Sequence, residues 1–186
     1  MKIIGITGTL GAGKGAVVDY LCKHHGFLHF SVRDYIANII KSEGNTVNRD
    51  SLTKTANEIR KKNHPAYIVE QLMHQSIKSG RNSVIESIRT PGEIELLRSQ
   101  KGFILLAVDA DIQLRYQRIQ QRQSATDKID FQTFLENEQR EMHSDDPNKQ
   151  NLSECIKQAD HTLINNGSIE ELHEQIKVLL KKFIID

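Results

Sequence analysis

The chain is expected to adopt an α/β fold, a five-stranded parallel sheet with helices on both faces. Two observations carry this expectation. Apolar runs of strand length alternate with amphipathic helical stretches along the whole chain, and the first strand-to-helix junction is a glycine-rich loop ending in lysine. At 186 residues the chain has the size of one α/β domain with inserts.

Taken in order, Ile3–Thr7 is a first apolar run, followed by the loop "GTLGAGK" and a helix carrying Val17, Val18 and Leu21. Phe27–Phe30 is a second short run. The next fifty or so residues hold no strand signal and three helical stretches, Asp34–Lys41, Ser51–Lys62 and Pro65–Ser79. One crossover needs far less, so residues of about 34–79 should project as a helical insert. The strand Ser83–Ile88 then runs into "TPGE", where Thr90 caps a helix, Pro91 takes its first position and Glu93 completes a capping box. "FILLAV", Phe103–Val108, has the continuous apolar character of a strand covered on both sides, and should be central.

A helix with Ile112, Tyr116 and Ile119 on one stripe leads into the polar stretch Gln121–Asp130, read as the start of a lid of about residues 123–145. Thr162–Ile164 is the fifth strand. Ser168 and Glu171 form a capping box for a last helix that buries Ile169, Leu172, Ile176, Leu179 and Phe183. The core is thus residues 1–33, 80–122 and 146–186.

Composition narrows the function classes. Hydrophobic residues make up 38% and charged residues 26%, the balance of a chain that folds. Lys plus Arg number 25 against 24 Asp plus Glu, so no global field draws the chain to nucleic acid or to an anionic membrane, and any basic site must be local. No window approaches the ~18 to 20 apolar residues of a membrane span. Cys22 and Cys155 lie in apolar helical patterns without CxxC pairing, and no secretory segment opens the sequence, which points to reduced thiols and a cytoplasmic protein. The histidines show no metal-binding spacing and read as surface or packing residues.

The loop is where chemistry concentrates. Gly8, Gly11, Ala12, Gly13, Lys14, Gly15 and Ala16 give the G-x-x-x-x-G-K spacing between a strand and a helix. Successive backbone amides can curl round an anion there, the helix N-terminus adds positive potential, and the lysine reaches the β- and γ-phosphates. Gly15 and Ala16 stand where a magnesium-binding hydroxyl is usual. Magnesium keeps several waters and binds through one or two carboxylates plus phosphates, so Glu86 at the end of the third strand, or Asp34, can hold it through water; Asp34 also suits helix capping.

Arg89 lies between the third strand and the capped helix, at the carboxyl edge where open α/β sheets bind ligands, and its planar fork suits a phosphate. Arg49 and Arg60, in the insert, can add to the same pocket. Arg115, Arg118 and Arg122 fall at i, i+3 and i+7 on one helical stripe, an arrangement that an anion would join. Asp109 and Asp111 read as caps of the following helix, with a place beside the phosphates as the alternative.

With these residues assembled, the chain resembles the nucleoside monophosphate kinase family, adenylate-kinase-like, and the related dephospho-coenzyme A kinases. "GTLGAGKG" looks like the family's GxPGxGKGT loop, with Ala16 where Thr is usual. "HFSVRDYI" is similar to the H-x-S-x-x-D-x-L segment that opens the acceptor region, which matches His29, Ser31 and Asp34 by position. "ESIRTPGEIELLR" looks like the strand-end segment whose arginine holds the acceptor phosphate, with Glu86 in place of Asp, and is most similar to the D-G-I-R-x-P-x-E segment of small P-loop kinases, including the kinase-like portion of some deoxycytidylate deaminases. No deaminase zinc motif is present.

The resemblance implies a three-layer P-loop kinase fold with a helical acceptor-binding insert and a short lid. It implies ATP and Mg2+ as cofactors, small-molecule nucleotide substrates, and a monomer or homodimer. Lys14, Arg89, Arg115, Arg118 and Arg122 would be catalytic; Ser31, Asp34, Arg60 and Arg89 would bind the acceptor; and Asn166 and Gly167 in "NNGS" would pass near the donor adenine.

The expected activity is ATP-dependent phosphoryl transfer to a nucleoside or deoxynucleoside monophosphate. Hydroxyl phosphorylation of the dephospho-coenzyme A kinase type, with Asp34 as base, is one alternative. A nucleotide-binding regulatory module without catalysis is the other.

Overall fold

The computed structural model describes residues 1–122 and 129–183. Residues 123–128, the first part of the expected lid, lie outside the described residues.

Five strands form one all-parallel sheet in the order β2-β3-β1-β4-β5: β1 (Ile3–Gly8), β2 (Leu28–Ser31), β3 (Ser83–Glu86), β4 (Phe103–Asp109) and β5 (His161–Ile164). Gly5 on β1 is aligned with Ile85 on one side and Leu105 on the other, which makes β1 the central strand. The "FILLAV" run is β4, interior but one place from the centre; its continuous apolar character follows from cover on both faces and fits either position.

Alternation along the strands builds two cores. Ile4 and Ile6 of β1, with Leu106 and Val108 of β4, face α1 (Lys14–His25) and α9 (Ile169–Phe183), meeting Val17, Leu21, Leu172 and Ile176. Ile3, Ile85 and Leu105 face the other way, onto α2 (Val32–Ser42), α4 (Tyr67–Ser79) and α5 (Pro91–Arg98) through Ile36, Ile40, Leu72, Ile94 and Leu97. Neighbouring residues of one strand thus serve opposite faces. Each fully covered Ile or Leu contributes about 1.5–3 kcal/mol.

The helical insert comprises α2, α3 (Arg49–Lys62) and α4. Asn48 caps α3 with a reciprocal bond to Ser51, so this helix begins two residues before the expected start at Ser51. Thr90, Pro91 and Glu93 form the foreseen capping box of α5, and Ser168 accepts from the Glu171 amide at the start of α9. Beyond α6 (Ile112–Arg122), α7 (Phe131–Met142) occupies the expected lid region. The short α8 (Leu152–Lys157) carries too few residues to show a period in sequence; only Leu152 and Cys155 on it are buried.

Candidate functional site

The carboxyl ends of β1 and β3, the first turn of α1 and the insert enclose a cleft of about 360 Å3. Its floor at one end is the glycine loop. Gly11 and Gly13 have φ of +80° and +99°, and a Cβ on either would meet the Arg115 carbonyl at 2.4 Å or the Asn165 amide at 2.3 Å. Only glycine fits both the conformation and the space. The loop is backed by Asn165, whose Nδ2 donates to Ala12 O at 2.8 Å.

Lys14 turns back on this loop, its Nζ donating to Gly8 O at 2.9 Å and to Thr9 O at 2.7 Å. Burial, with Arg89 close by, pushes its ammonium down to about 7 even though Glu86 and Glu141 pull the other way. A group so poorly solvated gains from an added anion.

Seven basic side chains line the cleft, Lys14, Arg33, Arg49, Arg60, Arg89, Arg118 and Arg122, against two carboxylates, Glu86 and Glu141. Arg49 Nε, Arg60 Nε and Nη1, and Arg118 Nη1 are buried and have no hydrogen-bond partner among the described residues. Buried donors are normally paired, so a wall with four unmet N–H positions is suited to a ligand rich in oxygen acceptors. These donors fit a nucleotide polyphosphate.

The acidic side is equally specific. Glu86, at the end of β3, lines the cleft and accepts from or donates through His29 Nε2 at 3.2 Å, according to the His tautomer. Burial pushes its carboxyl up, but His29, Lys14 and Arg89 together hold it below the ordinary range. An ionised Glu86 facing Lys14 is placed to hold a hydrated divalent cation. Among the described residues no group of three His, Cys, Asp or Glu could hold a metal, so a magnesium ion here would depend on the phosphates and water as well as on Glu86.

Next to it, Ser87 has φ +73°, unlike every other non-glycine described. This left-handed turn swings the chain from β3 to Arg89, with the Ser87 and Ile88 amides both donating to Ile6 O at 3.1 Å.

The structure brings together Gly11, Gly13, Lys14, Gly15, Ala16, Arg60, Glu86, Arg89, Arg118 and Arg122. It sets others apart. Gly8 and Ala12 belong to the loop but not to the cleft lining. Ser31 caps α2 by accepting from the Asp34 amide at 3.1 Å, and the Asp34 side chain is 65% exposed, 3.9 Å from Arg33. Capping, not substrate or metal contact, accounts for both.

Arg115 is 6% exposed and also outside the lining. It grips Glu138 of α7 through both Nη atoms, Ala110 O at 2.9 Å and Leu10 O at 3.3 Å. The three-arginine stripe therefore splits, because the first turn of α6 lies against the loop while the later turns face the cleft. Asn166 Oδ1 accepts from the Asp111 amide at 2.7 Å, and neither Asn166 nor Gly167 lines the cleft. Asp109 accepts from Thr9 Oγ1 at 2.6 Å and from the Ala110 amide at 2.9 Å, bracing the loop.

Two lining residues had no sequence signal. Glu141, on α7, accepts from Arg49 Nη2 at 2.6 Å and from Arg89 Nη1, and Gln150 Oε1 accepts from the same Arg89 Nη1 at 2.9 Å. Both come from segments far along the chain whose spacing says nothing about the cleft. Leu52, Thr53 and Ala56 of α3, with Val32 and Ile36 of α2, supply its apolar wall.

Comparison with known proteins agrees with this architecture. Residues 4–144 match the family model described as AAA domain. The UPF0200 protein of Pyrobaculum aerophilum is 31% identical over 184 residues, 97% of this chain and 98% of its own length. Among solved structures, TT1252 from Thermus thermophilus has a TM-score of 0.65 at 21% identity over 97% of each chain. Shikimate kinase from Acinetobacter baumannii, solved with shikimate, has a TM-score of 0.58 at 17% identity, over all of this chain and 96% of that one. The fold is that of the P-loop kinases.

Proposed function

We propose, starting from the fact that this chain belongs to the AAA domain family and to the UPF0200 proteins, that it transfers the γ-phosphoryl group of ATP to the phosphate of a nucleoside or deoxynucleoside monophosphate. A fold hosts many activities, so the reading rests on the site. The observation that carries it is the charge of the cleft, seven cations against two carboxylates, running from the glycine loop to the insert.

Magnesium ATP and a neutral acceptor would leave much of that positive charge unmatched; an acceptor carrying its own phosphate matches it better. Such an acceptor is already a nucleophile in its anionic form. No general base is then needed, and the work left to the protein is alignment and neutralisation of charge.

In this reading the loop amides and Lys14 hold the donor phosphates. Arg118 and Arg122, on α6, approach them from the opposite side, while Arg89 and Arg49 hold the acceptor phosphate. Glu86 would hold the water shell of a magnesium ion, which supplies charge neutralisation at the phosphates when bound. The apolar wall of Val32, Ile36, Leu52 and Ala56 takes the body of the acceptor. The hydroxyl-acceptor alternative needs a base, and its candidate Asp34 lies in solvent outside the cleft.

The test is magnesium-dependent ADP release measured across a panel of ribo- and deoxyribonucleoside monophosphates. Sustained release with one acceptor supports the kinase reading. ATP binding in calorimetry with no release for any acceptor would leave a nucleotide-binding module instead. A thermal-shift screen narrows the panel first, since a ligand at ~100 times its Kd adds ~2.7 kcal/mol to stability.

A further inference from the structure

We propose that Glu141 is a built-in competitor at the acceptor end: its carboxylate is the resident ligand of an anion site formed by Arg49 and Arg89, and it sets the threshold that an acceptor's anionic group must exceed. The proposal rests on the phosphoryl-transfer reading of the cleft and adds to it a residue that decides which acceptors enter.

The geometry is that of an ion already bound. Glu141 is 4% exposed on its side chain, with Oε1 2.6 Å from Arg49 Nη2 and Oε2 on Arg89 Nη1. Burial raises its carboxyl, but Arg89 and Arg49 outweigh that and hold it ionised. Its grip is incomplete. One carboxylate stretched between two guanidiniums takes a single nitrogen from each, and Arg49 Nε, on the same edge of the fork as Nη2, is buried without a partner among the described residues. A phosphate has one more oxygen and a second negative charge, so it can satisfy both nitrogens of that edge and still reach Arg89.

The exchange leaves α7 in place. Its preceding turn is anchored separately, by Glu138 on Arg115, so release of Glu141 requires rotation of one side chain rather than departure of the helix. The second tie between α7 and α3, Arg140 to Asp50 at 3.1 Å, is solvent-exposed and worth little.

The consequence for specificity is arithmetic. A tethered carboxylate is present at high effective concentration, and it weakens every competing anion by the same factor. A dianionic phosphate group starts from enough affinity to bear that factor. A monoanionic carboxylate offers the arginines nothing that Glu141 does not already offer, and is pushed out of the useful range.

The test follows the arginine Nε resonances of the full-length protein by nitrogen-15 NMR during titration with inorganic phosphate and, separately, with acetate. A Lys14→Ala background removes the loop lysine as a second phosphate site. In Glu141→Gln both anions should bind at least about tenfold more tightly at Arg49 and Arg89 than in the parent. Glu141→Asp, which keeps the charge but is too short to reach both guanidiniums, should give a smaller change of the same sign.

Unchanged or weaker phosphate binding in both variants overturns the proposal, and makes Glu141 a brace that positions the arginines. ATP binding to protein with Lys14 intact is measured alongside. If ATP binds and Glu141→Gln has no effect, this proposal alone falls; if ATP does not bind, the phosphoryl-transfer reading falls first.

Discussion

Arg60 and Glu93 meet at 2.8 Å in the interior, 1% and 0% exposed, and join the insert to the corner that carries Arg89. The other oxygen of Glu93 accepts from the Arg89 and Thr90 amides at 2.8 and 3.0 Å. One carboxylate thus fixes two parts of the acceptor end relative to each other. Breaking a buried pair from one side costs about 3–5 kcal/mol. Glu93→Ala should lie at the top of that range, since it also strands two amides, and Arg60→Leu below it. Urea unfolding of both variants and of the double variant checks this; losses under about 0.5 kcal/mol, the size of a surface change, would contradict it.

Lys14 predicts a pH dependence of nucleotide binding. Its ammonium titrates near 7 in the free protein, and bound phosphates would move it back toward its ordinary value. Below pH 7 it is protonated in both states and contributes no pH dependence. Above pH 7 binding must take up a proton, so affinity for ATP falls as pH rises, by at most about tenfold per unit. Calorimetry at pH 8 in two buffers of different ionisation enthalpy should record uptake of close to one proton, and no uptake would reject the assignment.

Lys14→Ala and Arg89→Ala should each lower turnover by about a hundredfold or more, while the protein remains folded by circular dichroism. A charge-supplying arginine can be worth ~10³ to 10⁵ in phosphoryl transfer. Arg115→Ala should behave differently. It frees Glu138 and unties the loop from α6, so the melting temperature drops while turnover per folded molecule falls less than in Arg118→Ala. Equal stability of the Arg115 and Arg118 variants would place Arg115 back among the cleft residues.

Asp34→Asn should leave turnover within about threefold of the parent, an exposed helix-start acid costing little. Glu86→Gln should instead raise the magnesium concentration needed for half-maximal turnover several-fold. A large loss from Asp34→Asn would revive the hydroxyl acceptor with Asp34 as its base.

Ser87→Gly offers a check on the backbone. A left-handed conformation costs a residue with a side chain about 1–2 kcal/mol, and glycine's greater freedom when unfolded returns about 0.5–1 of this. The variant should be equal to the parent or more stable by up to about 1 kcal/mol, in contrast to the ordinary loss on placing glycine in a structured segment. Thermal unfolding decides it.

Local spacing made the donor end legible. The loop from Gly8 to Lys14, the Thr90–Glu93 cap and Arg89 after β3 all lie within short segments whose pattern states their geometry. The acceptor end depends on residues distant in sequence, Arg49, Glu141 and Gln150, that meet only through the packing of α3, α7 and the segment before α8. No periodicity encodes such a meeting. Arg115 misled for a related reason: a helical stripe records which side chains share a face, but the neighbour chosen by each turn of that face is a tertiary matter. Asp34 fits a cap and a ligand alike in one dimension, and only its exposure separates them.

The two ends of the cleft also differ in what change they permit. Gly11 and Gly13 are closed to any side chain by the carbonyl and amide packed against them, so the donor end offers no route by which point mutation could retune it. The acceptor end is a mosaic of replaceable groups on α2, α3 and α7. New chemistry in this scaffold should therefore arise by exchange of those groups, with the triphosphate grip inherited intact.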